Sequence, residues 1–164
     1  MRTVLTAFVF IVLGLTPIRA ADIYLYGDST QRGVSVFNNE PVQNPFAPGV
    51  LLQAFLNSEF GVGTHQVRNF AQGGLTLGNA LEQPLYDGMT IVEHIAAHRP
   101  DLVIANFGIN GAYEPELTPA LHREQYAMLK AATEQAGGVF FYQTPNPMDN
   151  GHNGILDAMV AAVM

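Results

Sequence analysis

The chain of 164 residues contains no cysteine. A disulfide framework, a thiolate metal site and a cysteine nucleophile are therefore excluded. Basic residues are also few, since seven Lys and Arg stand against fourteen Asp and Glu and the formal net charge is −7. An acidic surface repels a phosphate backbone, so we expect no nucleic-acid partner. No internal repeat or low-complexity tract is present, and the length suits one domain with a single core.

The N-terminus has the layout of a secretory signal peptide. Arg2 supplies a basic start, residues 3–15 form an apolar run, and Ala20 and Ala21 are small residues suited to cleavage. We predict a signal peptide over residues 1–20 and an exported protein, periplasmic or secreted. The apolar run is shorter than the ~20 residues of a membrane span, so no stable membrane insertion is expected after cleavage. A retained N-terminal anchor is the alternative.

Four apolar or aromatic runs predict strands, and each is followed by a pattern typical of a helix. The predicted strands cover 23–26, 66–70, 101–107 and 139–143. The predicted helices cover 50–60, 90–98, 117–135 and 151–164. The alternation predicts an α/β fold, a three-layer sandwich with a parallel sheet, for a single domain over residues 21–164.

Two further predictions concern the stretch between the first two strands. Residues 30–49 are rich in Asn, Pro and Gly, and we predict a long loop on the functional edge, in which Phe37, Phe46 and Pro48 are candidates to line an apolar pocket. The helix predicted over 50–60 is expected to pack its apolar residues on the sheet.

One helix carries a histidine pair. His94 and His98 lie one helical turn apart, a spacing that can chelate a metal ion. The glutamate of a zinc-protease motif is absent between them. The sequence therefore favours exposed helix histidines over a metal site, and no metal or other cofactor is expected.

Three predicted strands end in similar residues. Gly27-Asp28-Ser29 follows the first strand, Gly73-Gly74 the second, and Gly108-Ile109-Asn110 the third. Parallel strands place all three ends at one edge of the sheet. Acyl transfer needs a nucleophilic hydroxyl and donors aimed at the developing oxyanion. Each motif alone is also typical of ordinary turn chemistry, and only their combination predicts a catalytic site.

These motifs resemble the sequence blocks of the SGNH hydrolases, the GDSL-like lipases and esterases, from residue 22 to the end of the chain. Residues 27–29 are similar to the first block, residues 69–74 to the second, and residues 100–110 to the third. The resemblance implies a flavodoxin-like fold, Ser29 as nucleophile, and an oxyanion hole formed by Ser29, Gly74 and Asn110.

The chain departs from the family pattern in two places. Gly111 stands where the family usually has Asp, which we expect to affect a local turn contact only. The family takes its base from an Asp-x-x-His that follows a fifth strand, and the chain ends at Met164 before such a strand. We therefore expect a C-terminally incomplete domain whose final strand and base lie beyond Met164. Asp149 and His152 have the right spacing but follow the fourth strand, so they are the less favoured alternative.

The resemblance implies a serine hydrolase that cleaves carboxylic esters, whether of small molecules, lipids or acylated saccharides. The alternative is a non-catalytic module that binds carbohydrate or a surface and keeps the fold as a scaffold. The joint presence of Ser29, Gly74 and Asn110 argues for the enzyme, because a binding module has no need of all three. The Gly-x-Ser-x-Gly elbow of the α/β-hydrolases does not occur in the chain.

Overall fold

A computed structural model describes residues 19–38, 40–146 and 152–164. The predicted signal peptide, apart from its last two residues, and Asp149 lie outside the described residues. Within the described ranges, no helix combines the length and the apolar character needed to cross a membrane.

A four-stranded parallel sheet forms the centre of the molecule. Its strands are β1 (Asp22–Gly27), β4 (Gln66–Asn69), β5 (Leu102–Asn106) and β6 (Val139–Tyr142), in the order β4-β1-β5-β6. All three pairings are parallel, which confirms the predicted α/β fold. Strand β1 has neighbours on both sides and is buried from Ile23 onward, as expected of a parallel strand covered on both faces.

Helices flank the sheet. Those longer than one turn are α2 (Pro48–Phe60), α3 (Leu77–Glu82), α4 (Ile91–His98), α5 (Pro119–Gln135) and α6 (Asn153–Val163). The N-termini of α4 and α5 follow from their sequences. Thr90 and Glu93 form a reciprocal capping box at α4. Thr118 caps α5, with Pro119 in the first turn, where its missing N–H costs no helical bond.

The main core lies between one face of the sheet and the helices α3, α4 and α5. Alternate residues of β1 and β5 supply its sheet side, and apolar residues one or two turns apart supply its helix side: Tyr24, Tyr26, Val103, Ala105, Phe107, Ile91, Ile95, Tyr126 and Leu129. Tyr126 also fixes the end of β5, because its hydroxyl accepts from the Phe107 N–H at 2.8 Å and donates to the Phe107 carbonyl at 3.1 Å. The loop that follows β5 is thereby anchored to α5.

The prediction of a long loop over residues 30–49 is wrong. This stretch contains the end of a short helix, α1 (Ser29–Arg32), and an antiparallel hairpin of β2 (Val34–Phe37) and β3 (Glu40–Gln43). Gly33 ends α1 in the left-handed conformation with φ 84°, and its carbonyl accepts from Asn44 N–H at 2.8 Å. This closes the hairpin into a compact unit.

The orientation expected for α2 is also wrong in part. Val50 and Phe55 are 55% and 57% exposed, although they were expected to pack on the sheet. The helix approaches the sheet through Gly49, where an added Cβ would lie 3.3 Å from both Leu25 and Asn69. Small residues allow the closest approach, and Val50, Leu51, Phe55 and Phe60 are turned outward while Leu52 and Leu56 remain partly buried.

The histidine pair on α4 differs from the expectation as well. His94 is only 1% exposed, while His98 is exposed. Residues 91, 94 and 95 lie on the helix face that packs on the core, whereas residue 98 lies at the exposed end of the helix. His94 therefore points inward with Ile91 and Ile95.

Candidate active site

Ser29 lies at the carboxyl edge of the sheet, immediately after β1. The turn into α1 requires Gly27, because an added Cβ would lie 2.4 Å from the Asn106 carbonyl oxygen. Asp28 caps α1, and its carboxylate accepts from the N–H and the hydroxyl of Thr30. Ser29 is thus the first residue of α1, half-buried, on a turn whose backbone is held on both sides.

Asp28 is fully buried beneath this turn. Its Oδ2 has no hydrogen-bond partner within the described ranges. Burial raises the pKa of Asp28, and the two hydrogen bonds from Thr30 oppose that effect. Asp28 therefore serves as a structural cap below Ser29 and faces away from solvent.

The loop after β4 lies against the Ser29 turn. The Gln72 N–H donates to the Gly27 carbonyl at 3.0 Å, and the Asn69 side chain donates to the Gln31 carbonyl at 2.8 Å. A Cβ added at Gly73 would lie 3.9 Å from the Cβ of Ser29. Gly74 has φ 77° and open space around it. Its positive φ strains any residue with a side chain, and the open space leaves room for a substrate.

Asn110 follows β5 and joins the same group. Its side-chain amide donates to the Leu75 carbonyl at 3.1 Å, next to Gly74. The amide has a second N–H, which this bond leaves for another acceptor. At Gly111, where the family usually has Asp, an added Cβ would lie 2.6 Å from the Leu117 side chain. The departure from the family pattern therefore fits the local packing.

The structure thus places the three predicted strand ends side by side. The sequence predicted Ser29, Gly74 and Asn110 as candidates, but it did not predict the residues that hold their loops together. Asn69 links the loop after β4 to α1, and the Leu75 carbonyl positions Asn110. Their signal was faint, since a polar residue at a strand end is typical of many turns.

The five histidines of the chain lie in different environments. His65 precedes β4 and lies at the opposite edge of the sheet from Ser29. His94 bonds Tyr26, and burial together with the neighbouring His98 lowers its pKa. His122 is buried in α5, and burial lowers its pKa to about 4. Only His152 is both partly exposed and near the loop after β5, with its ring 4.5 Å from that of Tyr113.

Described residues that follow β6 pack against the loop after β5. Pro145 and Leu156 border Gly108, whose added Cβ would lie 3.1 Å and 3.2 Å from their side chains. Gly108 has φ 151°, a conformation that favours glycine. His152 lies on this segment, at the start of α6, and its carbonyl accepts from the N–H groups of Ile155 and Leu156.

A groove of about 650 Å³ lies between α2 and β4. Its lining is mainly apolar, with Val50, Ala54 and Val67, and it includes one cation, Arg32. Arg32 ends the helix that Ser29 begins, and Ala71, also in the lining, precedes Gly73. The groove therefore lies near the Ser29 turn and the loop after β4, but Ser29, Gly74 and Asn110 are not among its lining residues. Phe46, expected to line a pocket, is 68% exposed instead.

Neither protein-family models nor curated proteins give a match to this sequence. Solved structures do. The chain is similar to the aryl esterase of M. smegmatis, with a TM-score of 0.65 at 19% identity over 88% of this chain and 78% of that one. It is similar to Est24, a carbohydrate acetylesterase from Sinorhizobium meliloti, with a TM-score of 0.65 at 17% identity over 87% and 77%. It is also similar to the lipase/acylhydrolase from Enterococcus faecalis, with a TM-score of 0.59 at 22% identity over 87% and 69%.

These neighbours are esterases and lipases of the SGNH type, and the four-stranded sheet with its flanking helices matches their fold. The resemblance inferred from the sequence blocks is thereby confirmed at the level of the fold. At identities below a quarter, the likeness carries no further than that.

Proposed function

We propose that this protein hydrolyses carboxylic esters with Ser29 as its nucleophile. The observation that carries the proposal is the meeting of three strand ends. The added Cβ at Gly73 would lie 3.9 Å from the Cβ of Ser29, and Asn110 is bonded at 3.1 Å to Leu75, one residue beyond Gly74. A hydroxyl, open backbone at a glycine and an uncharged amide donor are the groups that acyl transfer requires.

In the proposed reaction the Ser29 hydroxyl oxygen attacks the ester carbonyl carbon, and a base takes its proton. The carbonyl oxygen becomes an oxyanion, which the N–H groups of Ser29 and Gly74 and the amide of Asn110 bind. The bond to the leaving alkoxide then breaks, and the alkoxide receives the proton. Water releases the acyl group by the same steps. None of these residues carries a formal charge, so none of them neutralises the base.

An ester with an apolar portion is the proposed substrate, and the support for it is the mainly apolar groove between α2 and β4, whose lining includes Arg32 of the helix that Ser29 begins. The proposed substrates are esters of small molecules, lipids or acylated saccharides.

The test is hydrolysis of p-nitrophenyl acetate and butyrate by the complete gene product. Ser29→Ala should reduce kcat by a factor of at least about 10⁴, the scale of nucleophile loss in serine hydrolases. Ser35→Ala, on the exposed face of β2, is the matched control and should leave kcat unchanged. Equal activity in wild type and Ser29→Ala would overturn the proposal and favour a binding module.

A further inference from the structure

A second polar cluster lies beside α4, outside the candidate active site. It consists of Asp87, His94 and His98, and one ligand atom from each lies within 4.8 Å of the other two. We propose that this cluster binds a divalent transition-metal ion, Zn²⁺ or one of similar ligand preference, through the Asp87 carboxylate and the two imidazoles. This reverses the expectation from sequence, which had the histidine pair but no third ligand.

His94 is held in the orientation that a metal ligand needs. It is buried, and its Nδ1 lies 2.7 Å from the Tyr26 hydroxyl. Its Nε2 faces Asp87, with 3.9 Å between Nε2 and Oδ2. Histidine ligands commonly donate their second ring N–H to a fixed oxygen, which sets the tautomer and the ring orientation. Tyr26 supplies that oxygen here, so Nδ1–H donates to Tyr26 and the Nε2 lone pair is free for the ion.

Asp87 is presented by a tight turn. Asp87 and Gly88 have φ 52° and 79°, and Tyr86 and Met89 exchange two backbone hydrogen bonds of 2.9 Å. Positive φ at both central residues defines a type I′ turn, for which Asp-Gly is a preferred sequence. The capping box at Thr90 begins α4 directly afterwards. The carboxylate is therefore carried on a rigid turn joined to the helix that carries both histidines.

His98 completes the set from the next turn of α4. The His94 and His98 rings have centroids 4.4 Å apart. With metal–ligand bonds of about 2.0–2.2 Å, two ligands of one Zn²⁺ ion lie no more than about 4 Å apart. The 3.9 Å between His94 Nε2 and Asp87 Oδ2 is already within that limit. The exposed side chains of His98 and Asp87 need to move by about 1 Å to complete the site.

The 3.9 Å between His94 Nε2 and Asp87 Oδ2 is too long for a hydrogen bond, so the two side chains do not bond each other directly. Two imidazoles and one carboxylate suit zinc, copper or nickel rather than the hard cations magnesium and calcium. Three protein ligands leave a fourth position, which faces solvent because Asp87 is 79% exposed. Bound metal would cross-link the turn at residues 86–89 to α4 and so stabilise the folded chain.

The experiment is calorimetric titration of the metal-free protein with ZnCl₂, with MgCl₂ as the hard-cation comparison. We expect one Zn²⁺ per chain with a Kd in the micromolar range or tighter and no comparable binding of Mg²⁺. Asp87→Asn and His98→Gln, both at exposed positions, should each weaken Zn²⁺ binding by about tenfold or more. The matched controls Asp157→Asn and His65→Gln lie outside the cluster and should bind as wild type.

A second readout does not depend on calorimetry. CoCl₂ should give the visible absorption of a four-coordinate site, and Zn²⁺ at about 100 times Kd should raise Tm by several degrees. Both effects should disappear in the Asp87→Asn, His98→Gln double variant. Absence of saturable Zn²⁺ binding would overturn the proposal, and so would binding that the double variant retains. Substitution of His94 is avoided because its burial would confound loss of metal with loss of fold.

Discussion

The loops at the carboxyl edge of the sheet fall into two regions that are held together differently. The loops after β1, β4 and β5 are joined by hydrogen bonds from Gln72 to Gly27, from Asn69 to Gln31 and from Asn110 to Leu75. We call these three loops the hydrogen-bonded region. The described residues after β6 form the packed region, which meets the loops through packing of Pro145 and Leu156 on Gly108 and through the ring contact of His152 with Tyr113.

This difference matters for the proposed chemistry. Donors that stabilise an oxyanion act best when they are fixed before the reaction begins. The hydrogen-bonded region carries all the proposed donors. Its position is set by these three hydrogen bonds, by Gly27, where an added Cβ would lie 2.4 Å from the Asn106 carbonyl oxygen, and by Gly74, whose φ is 77°. The packed region carries none of them. The comparison therefore separates a hydrogen-bonded region that carries the proposed oxyanion donors from a packed region that carries none of them.

Apart from the proposed nucleophile Ser29, the largest effect is expected at Asn110, in the hydrogen-bonded region. Asn110→Ala in the complete gene product should lower kcat by about 10²–10³, with little change in KM, because an oxyanion donor acts chiefly in the transition state. Asn146→Ala, an exposed asparagine in the packed region, is the control and should leave kcat unchanged. A loss below about fivefold for Asn110→Ala would make its bond to Leu75 purely structural.

The joint between the two regions is Gly108. Gly108→Ala should lower the free energy of unfolding by about 3 kcal/mol, because it adds backbone strain and forces Pro145 and Leu156 apart. Gly63→Ala provides a control for strain alone, since Gly63 has φ 79° and open space around it, and should cost about 1–2 kcal/mol. Chemical denaturation of both variants measures the difference. Equal losses would mean that the packing across Gly108 contributes nothing.

Substitution of His122 tests the packing around Tyr126, which supports the hydrogen-bonded region. His122 packs on Tyr126, which anchors the end of β5, and neither of its ring nitrogens has a hydrogen-bond partner within the described ranges. Its pKa is lowered to about 4, so the unfolded chain binds the proton more readily than the folded one. Stability is therefore retained above the unfolded pKa of about 6.5 and falls as pH decreases toward 4.

Between pH 7 and pH 5 this residue should account for a loss of about 2 kcal/mol in the free energy of unfolding. His122→Leu removes the titrating group and should flatten that part of the stability profile. The measurement is denaturant unfolding at a series of pH values for both proteins. Parallel profiles for wild type and variant would show that His122 is accommodated in its charged form.

The smallest effect is expected at His152, in the packed region. Its backbone starts α6 and its ring lies against Tyr113, both of which are structural roles. His152→Ala in the complete gene product should therefore change kcat less than about threefold, against the factor of 10² or more that loss of a general base brings. A loss comparable to that of Ser29→Ala would assign the base to His152 and merge the two regions into one site.

The sheet and the outline of the candidate site were predictable from the sequence. Continuous apolar runs such as residues 23–26 and 102–106 have few alternatives to a buried parallel strand. Each of these strands ends in Gly and polar residues, and parallel strands place those ends at one edge of the sheet. This made Ser29 and Asn110 candidate site residues.

Other features depended on contacts that a linear pattern does not contain. The α2 residues Val50 and Phe55 are apolar but exposed, because Gly49 decides which side of the helix meets the sheet. The hairpin over residues 34–43 was not predicted, because its Asn and Pro content is typical of a loop. Asp87, the third ligand of the proposed metal site, precedes α4 on a separate turn, and only the folded chain shows that it faces His94.

The position of β1 has a consequence for the order in which the chain becomes structured. Among the strands that the structure describes, β1 is synthesised first, yet it pairs on one side with β4 and on the other with β5, and the Asp22 N–H donates to the Asp101 carboxylate, 79 positions later. At about 5–20 residues per second, a ribosome needs roughly 4–16 s to supply that second neighbour. During this interval the apolar and aromatic run Ile23–Tyr26 has no completed sheet to join, and such runs pair readily with other chains. The nascent protein is therefore most in need of a chaperone before its central strand is enclosed.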